Sequence, residues 1–345
     1  KQVYVVAVGV VIAGITQVTM QLGPLKKHGV ILRPLWETHT EAFKRILLLM
    51  GPMVLGLTAT QINTLMDDII ALWFGKLVTW GAPSKLYYAQ RLYQFPLGVI
   101  GISLATAIFP ELSSEAARGA YDKMMQVVSR GLRLSIFVAV PAAAGLILVS
   151  RPLISVLFQH GEFEVEDTAQ TAWTLAFYAA GLCGFFAQQI LIRAFYSDKD
   201  SKMPAITATG AVIVNVILNL ILIWPLGTGG LALSTSICSY LQVIVLAGIL
   251  KKRHPVEMMN GLVTTIIKTG IATSGMVAVG LSAIYFLKSL PMNLWMDLLR
   301  TVVLVISCAV SYSGVSYVLK SEMLGLLIRI RKDKKIQTAD KDKIQ

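Results

Sequence analysis

The sequence has few charged residues for its length. Only 14% of its 345 residues are Asp, Glu, Lys or Arg, whereas 55% are hydrophobic. A water-soluble domain of this size would need far more polar surface. Helices satisfy their own backbone hydrogen bonds in lipid, and no segment has the alternating pattern of an outer-membrane strand. We therefore predict an all-α polytopic membrane protein.

Cysteine and histidine are also scarce. Cys183, Cys238 and Cys308 lie inside apolar runs, a position typical of small buried hydrophobic residues rather than of disulfides or metal ligands. The four histidines lie in or near the connectors between those runs. The sequence has no nucleophile–base pair, no phosphate-binding glycine loop and no zinc-ligand spacing. These absences argue against an enzyme and against a bound cofactor.

Acidic residues are outnumbered by basic ones, 19 to 31, which gives a formal net charge of +12. The basic residues concentrate in alternate connectors and in the C-terminal tail. Basic cytoplasmic loops beside anionic lipid explain this pattern better than binding to nucleic acid does. The charge distribution therefore predicts a multi-pass membrane protein with a cytoplasmic C-terminus.

Long apolar runs predict about nine membrane spans, each near the roughly 20 residues that a helix needs to cross the hydrocarbon. The chain begins at Lys1, without Met or a signal peptide, and runs almost directly into the first span. We expect an N-terminal part with an odd number of helices to precede it. The predicted spans are 3–22, 46–74, 86–109, 132–149, 169–195, 204–224, 229–250, 262–287 and 298–319.

Arg91 lies inside the third predicted span, where a charge costs about 2.5–3.5 kcal/mol on insertion scales. One interpretation is that its side chain reaches up to the outer headgroups. The other is a guanidinium that faces a cavity and binds phosphate through its planar fork. The helical spacing places it on one face with Tyr87, Tyr88, Gln94 and Gly98.

Pro96 and Gly98 follow Arg91 in the same span. Proline removes a backbone hydrogen bond and tends to kink a helix, and glycine permits bending or close packing. The pair predicts a hinge.

Asp67 and Asp68 lie well inside the second predicted span. A carboxylate at such depth indicates a proton site, a cation ligand or a partner for arginine, and otherwise a hydrogen bond between helices. Adjacent residues on a helix point about 100° apart, so at most one of the two faces a given cavity.

Three more polar residues occur in the sixth and seventh spans. Asn215 and Asn219 lie one turn apart, and Thr235 lies in the next span. Hydrogen bonding between helices is the commoner role of such residues. Amide and hydroxyl oxygens beside a carboxylate also suit a hard cation such as sodium.

Several stretches follow one another in the order found in one protein family. Together they resemble the MurJ/MviN family, the lipid II flippases of the multidrug/oligosaccharidyl-lipid/polysaccharide exporter superfamily. The stretches include Gly51-Pro52, Tyr88-Ala89-Gln90-Arg91-Leu92, Phe95-Pro96-Leu97-Gly98, Ala107-Ile108-Phe109-Pro110, Arg193-Ala194-Phe195-Tyr196 and Gly230-Leu231-Ala232-Leu233-Ser234-Thr235.

The resemblance implies a fourteen-helix fold with two six-helix lobes and two further helices, of which this chain begins at the sixth. Residues 1–24 would then be the last helix of the N-terminal lobe, and residues 25–45 a basic cytoplasmic connector. Residues 46–253 would form the C-terminal lobe. Residues 254–320 would form the two additional helices, which make a lipid-tail groove, and residues 321–345 a basic cytoplasmic tail.

The resemblance also implies a function in peptidoglycan biosynthesis and cell shape. The protein would move lipid II, the undecaprenyl-diphosphate-linked disaccharide-pentapeptide, across the inner membrane by alternating access, as a monomer among membrane lipid. Substrate-binding roles would go to Arg91, Gln94 and Tyr88, although some members carry an acid where Gln94 stands.

A cation site in the family would carry over to Asp67, Asn215, Asn219 and Thr235. Asn219 replaces an acid found in some members, which alters such a site. Sodium and proton coupling are both left open.

Three alternatives remain at this point. The chain is also compatible with a flippase for another lipid-linked oligosaccharide or with a cation-coupled drug exporter of the same superfamily. A membrane scaffold without transport belongs to a different class. A membrane glycosyltransferase would require paired carboxylates or a metal motif in a connector, and the sequence has neither.

Overall fold

The computed structural model describes residues 2–27, 40–78, 81–255, 261–289 and 293–326. Within these ranges the chain is helical and has no strand, which confirms the predicted all-α class. The helices are α1 (Gln2–Lys27), α2 (Glu41–Val78), α3 (Ala82–Pro96), a π-helical segment (Leu97–Ile102), α4 (Ser103–Ala117), α5 (Tyr121–Phe158), α6 (Val165–Ala180), α7 (Leu182–Ser197), α8 (Lys202–Leu226), α9 (Thr228–Arg253), α10 (Leu262–Leu287) and α11 (Leu294–Val318).

Six helices in the described ranges are long and apolar enough to cross a membrane, and the bent pair α6–α7 adds a seventh when it is counted as one span. These seven coincide with the third to ninth predicted spans. The first two predicted spans lie on α1 and α2, which are outside that set. The chain is therefore a multi-pass membrane protein. Parts of the predicted connector 25–45 and of the predicted tail 321–345 lie outside the described residues.

The chain divides into two compact units, Lys1–Met50 and Gly51–Gln345. The first contains α1 and the start of α2. The second contains the rest of α2 and all later helices, and every site described below lies within it.

The most apolar of these helices, α8, buries its polar residues and exposes its apolar ones. Asn215 and Asn219 are buried, whereas Ile213, Ile217 and Ile221 are exposed. A water-soluble helix has the opposite arrangement. Exposed isoleucines match a lipid environment, so the polar interior of the bundle can gather hydrogen-bonding groups from several helices.

Helix α3, the π-helical segment and α4 form one continuous helical rod from Ala82 to Ala117. The π-helical turn begins directly after Pro96, where the ring cannot supply a backbone hydrogen bond. Gly101 is buried in this segment, and a Cβ there would lie 3.1 Å from the Phe186 ring. Gly98 has open space around it. The predicted hinge thus lies at a change of helix type, and its movement stays a prediction.

The fifth predicted span is two helices, α6 and α7, which bend by 42° at Gly181. Helix α9 passes so close that a Cβ on Gly181 would lie 2.3 Å from Oγ of Ser236. One turn later, a Cβ on Gly184 would lie 2.3 Å from Oγ of Ser239. The two glycines therefore allow α9 to approach the bend closely.

Candidate functional site

A cluster of polar side chains surrounds Asp67, which is only 1% exposed. Nδ2 of Asn219 donates hydrogen bonds to Oδ1 of Asp67 at 2.6 Å and to Oδ1 of Asn215 at 2.8 Å. The Thr235 hydroxyl and Nδ2 of Asn63 each lie 3.4 Å from Oδ2 of Asp67. We call these five residues the Asp67 cluster.

Three helices build the Asp67 cluster. Asn63 and Asp67 lie one turn apart on α2, Asn215 and Asn219 lie one turn apart on α8, and Thr235 lies on α9. The structure brings together all four residues that the sequence predicted for a cation site. Asn63 completes the set. The four-residue spacing from Asp67 placed it on the same helical face, although its role was not predicted.

The carboxylate of Asp67 is compensated by neutral groups. Among the described residues no lysine, arginine or histidine forms a salt bridge with it. Its partners are amides and a hydroxyl, and Asp68 is only partly buried beside it. A buried carboxylate within a membrane span needs a proton, a cation or strong donors. The cluster therefore suits binding of a small hard cation or a proton.

The Asn215 amide satisfies its hydrogen bonds in one orientation, with its nitrogen towards Asn63 and Asp67 and its oxygen towards Thr235. In that orientation its nitrogen lies 3.0 Å from Oδ1 of Asn63 and its oxygen 3.2 Å from the backbone nitrogen of Thr235. Oδ1 of Asn219 has no hydrogen-bond partner among the described residues. In the satisfied orientation the Asn215 nitrogen also lies 3.1 Å from Oδ1 of Asp67, so hydrogen-bond donors surround this carboxylate.

Arg91 lines an open cavity of about 640 Å³ between the rod, α5, α10 and α11. Arg91 is the charged member of this lining, and the rest is almost wholly apolar. The apolar walls favour a ligand with a long apolar part, and the guanidinium favours one with an anionic group. Other lining residues include Pro96, Pro141, Leu146, Val149, Leu157, Met276, Val305, Cys308 and Tyr312.

The Arg91 guanidinium lies 4.8 Å from the centroid of the Tyr87 ring. A cation over an aromatic face is attracted to it, so Tyr87 helps to hold the guanidinium beside the cavity. The sequence placed Tyr87 on the face of Arg91 but did not assign it this contact. The four-residue separation on one helix was the available signal.

Tyr88 and Gln94 do not line this cavity. The Tyr88 ring stacks on Phe158 at 4.3 Å between centroids and contacts Phe163 edge-on at 5.6 Å. Gln94 is exposed. Of the three residues predicted to bind substrate, only Arg91 lies in the wall of this cavity. A role for the other two in another arrangement of the protein stays a prediction.

A metal centre built from charged or sulfur ligands is not found in the described ranges. No group of three His, Cys, Asp or Glu side chains there is close enough to hold a metal ion. Cys308 lies in the wall of the cavity, whereas Cys183 and Cys238 are free thiols elsewhere in the bundle.

A family model described as "Lipid II flippase MurJ" matches residues 1–306. A probable lipid II flippase MurJ of Vibrio cholerae serotype O1 is 36% identical over 240 residues, which cover 70% of this chain and 45% of that protein. One from Bdellovibrio bacteriovorus is 32% identical over 324 residues, which cover 93% of this chain and 60% of that protein. The chain thus spans about half the length of the curated relatives it matches.

The same fold occurs in a solved structure titled "Lipid II flippase MurJ, inward closed conformation". Its TM-score is 0.64 at 24% identity, over 84% of this chain and 58% of that one. At this identity the similarity concerns the fold.

Proposed function

Because the chain belongs to the MurJ lipid II flippase family, we propose that it forms part of a transporter that moves lipid II across the bacterial inner membrane. The distribution of basic residues among the connectors supports a cytoplasmic C-terminus. We assign no catalytic step to the protein, because the lipid crosses the membrane without any change in its covalent bonds. Single cysteines introduced into the connectors 198–201 and 159–163 test the orientation. A membrane-impermeant thiol reagent added to intact cells should label only the cysteine in 159–163.

The observation that carries the proposal is Arg91 in the wall of an otherwise apolar cavity. Lipid II combines a diphosphate with a long apolar chain. A guanidinium binds phosphate through two parallel hydrogen bonds, and the apolar walls accept part of the chain. The positive charge offsets part of the cost of moving the diphosphate through a low dielectric. The helices α10 and α11 supply one wall, which fits a lipid-tail groove.

The Asp67 cluster supplies the proposed coupling site. Alternating access requires two arrangements of similar free energy, and a ligand shifts their populations only if it binds one of them better. Binding of sodium to Asp67 would displace the Asn219 amide nitrogen from Oδ1 of Asp67 and turn amide oxygens inward. Since Asp67, Asn219 and Thr235 lie on three helices, this change alters contacts between α2, α8 and α9.

Substitution of Arg91 tests the substrate site. In the full-length protein, Arg91→Gln should lower the rate of lipid II translocation in reconstituted vesicles by about ten-fold or more, because a charge-assisted bond to phosphate contributes about 1.5–3 kcal/mol. Arg91→Lys should retain an intermediate rate. The matched control is Arg130→Gln, since Arg130 pairs with Glu111 on the surface. Wild-type translocation by Arg91→Gln at wild-type protein levels would exclude a phosphate role. If the protein moved a different lipid-linked oligosaccharide in preference to lipid II, that lipid would be assigned as the substrate instead.

Substitution of Asp67 tests the ion site separately. Thermal unfolding of the full-length protein is followed in NaCl and in choline chloride of the same ionic strength. A ligand that binds only the folded state raises its stability by RT ln(1 + [L]/Kd). We expect sodium to raise the Tm of the wild type and of Asp68→Asn, and to leave the Tm of Asp67→Asn unchanged. A sodium response that survives in Asp67→Asn excludes this site, and no response in the wild type excludes sodium.

A further inference from the structure

The bend between α6 and α7 is bonded to a side chain of α9. The amide of Gly181 donates to the carbonyl of Tyr178, three residues back, rather than to the carbonyl of Phe177 as in a regular α-helix. Oγ of Ser236 donates to the Phe177 carbonyl instead, at 2.7 Å. Because backbone groups inside a membrane need a partner, this hydrogen bond holds α9 to the bend.

Helix α9 also carries one member of the Asp67 cluster. Ser236 directly follows Thr235, whose hydroxyl lies 3.4 Å from Oδ2 of Asp67. One turn after Ser236, the Tyr240 hydroxyl donates to the carbonyl of Ala180 at 2.6 Å, again at the bend. Two hydroxyls of α9 therefore connect the bend to the helix that contacts Asp67.

The ring of Tyr93 on α3 lies across the same bend. It stacks on the ring of Tyr178 in α6 at 4.5 Å between centroids and on the ring of Phe185 in α7 at 5.2 Å. Residues seven apart lie roughly 10.5 Å apart along a helix, so the Tyr93 ring fits between these two. All three rings are buried. Gly181 leaves room for this stack, since a Cβ there would lie 2.9 Å from the Phe185 ring.

The residues that contact the bend from α3 flank Arg91. Tyr93 follows Arg91 by two residues. Gln90 directly precedes Arg91, and its Nε2 donates to the hydroxyl of Tyr178 at 3.1 Å. The backbone that carries the guanidinium is therefore attached to the bend on both sides.

We propose that Tyr93 is a positioning residue that ties the position of the Arg91 guanidinium to the state of the Asp67 cluster. A change at the Asp67 carboxylate alters its contact with Thr235 and shifts α9. Ser236 moves with Thr235 and changes the bend, and the Tyr93 ring, which is packed against both halves of the bend, moves α3. The description of the two places as an ion site and a substrate site rests on the proposed function, whereas the connection between them rests on these contacts.

The connection gives the two sites a common conformational change. Alternating access requires that a ligand at one site alter the free energy of arrangements that the other site also senses. A cation at the Asp67 cluster would then change the affinity for a phosphate group at Arg91 without touching it, and the reverse effect would be equally large.

Fluorine NMR of the full-length protein in lipid nanodiscs tests the connection. The reporter is 4-(trifluoromethyl)phenylalanine in place of Phe95, which lies one turn after Arg91 and is 72% exposed. The buffer contains choline chloride, with neither sodium nor lipid II, and Asp67→Asn supplies the change at the cluster. We expect Asp67→Asn to shift the fluorine resonance in the wild type and in Tyr93→Phe, which keeps the ring. In Tyr93→Leu the same change should leave the resonance in place.

Two serines of α9 provide a matched pair of variants that leave α3 untouched. Ser236→Ala removes the hydrogen bond to the carbonyl of Phe177 and should abolish most of the shift that Asp67→Asn produces. Ser234→Ala is the control, because Ser234 is also buried but donates to the carbonyl of Gly230 within α9, at 2.9 Å. This variant should retain the shift.

A purely structural role for Tyr93 has a different signature. Tyr93→Leu would then lower the Tm and move the resonance equally with and without Asp67→Asn. That result overturns the proposal, as does a resonance that Asp67→Asn leaves unshifted in the wild type, or a full shift in Ser236→Ala. Because the experiment uses neither sodium nor lipid II, failure of the sodium response or of lipid II translocation would count against the proposed function alone.

Discussion

Nζ of Lys85 lies 2.8 Å from Oδ1 of Asp167 and also donates a hydrogen bond to the side-chain amide of Gln170. The Lys85 side chain is only 5% exposed. Asp167 in turn accepts a hydrogen bond from the backbone nitrogen of Glu164, which closes a capping box at the start of α6. This ion pair links the beginning of α3 to the beginning of α6. Helix α3 also carries Arg91.

Lys85→Met should lower the free energy of unfolding by about 3 kcal/mol, because it leaves the carboxylate of Asp167 without its cation in a partly buried position. Unfolding of the purified protein by heat or denaturant measures the loss. The double variant Lys85→Met, Asp167→Leu should recover part of it, since it leaves no unpaired charge. Equal losses in the single and double variants would show that the ion pair does not account for the effect.

Gly230→Ala should destabilise the protein by about 1–3 kcal/mol, the usual cost of overpacking. Gly230 lies in the first turn of α9, and a Cβ there would lie 2.1 Å from the carbonyl oxygen of Leu222, a backbone atom that cannot turn aside. Gly248→Ala on the same helix is the control, since nothing lies within 4 Å of its Cβ position. That change should be neutral or stabilising by about 0.5–1 kcal/mol. A stable Gly230→Ala protein would contradict the close packing of α8 and α9.

Tyr87→Leu should weaken the apparent affinity for the transported lipid by about two- to five-fold, the equivalent of an exposed cation–π contact of about 0.5–1 kcal/mol. The ring holds the Arg91 guanidinium at 4.8 Å, and leucine offers no π face. Tyr87→Phe keeps the face and should behave as wild type. Titration of translocation rate against lipid concentration separates this effect from a lower maximal rate. A defect in Tyr87→Phe as large as in Tyr87→Leu would assign the effect to the hydroxyl.

The connector between α7 and α8 should make stability depend on pH. Burial tends to raise the pKa of Asp200, but hydrogen bonds from the backbone of Met203 and Lys202 and the contact with Arg253 outweigh burial and hold the pKa below its usual 3.8. A depressed pKa adds stability above the unfolded value of 3.8, and this is lost as pH falls through the folded value.

Asp200→Asn should therefore reduce the loss of thermal stability between neutral pH and pH values near and below 4. Asp122→Asn, at an exposed position in the first turn of α5, should retain the wild-type profile. Identical pH profiles for Asp200→Asn and the wild type would remove Asp200 as the cause.

Local patterns were sufficient to predict most of the helices. The apolar run 262–287 became α10 with the same ends, because each residue of a membrane helix must be apolar or internally bonded regardless of its neighbours. The spacing of Asn215 and Asn219 predicted only that they share one helical face and hydrogen-bond between helices. Their association with Asp67 was implied by the family resemblance.

Features that depend on another helix were not predictable. The bend at Gly181 lies against Ser236 on α9, a close approach between residues distant in the sequence. Tyr87 and Tyr88 lie four and three residues before Arg91, and spacing alone did not show that Tyr88 packs against Phe158 while the Tyr87 ring contacts Arg91. Lys85 was interpreted as part of a connector, because its burial depends on Asp167 in α6.

The π-helical segment Leu97–Ile102 sets the rotation of one half of the rod against the other. A π-turn holds one residue more than an α-turn, so the two halves differ in phase by about 100° from a regular α-helix of the same length. Leu86 packs in one core cluster and Leu112 in another, and each is fully buried. Deletion of one residue between 97 and 102 would convert the segment to a regular α-helix and leave Leu86 and Leu112 facing their clusters, whereas the same deletion between 103 and 111 would rotate Leu112 by about 100°. The π-helical segment therefore tolerates a one-residue change in length that an α-helix would convert into a rotation.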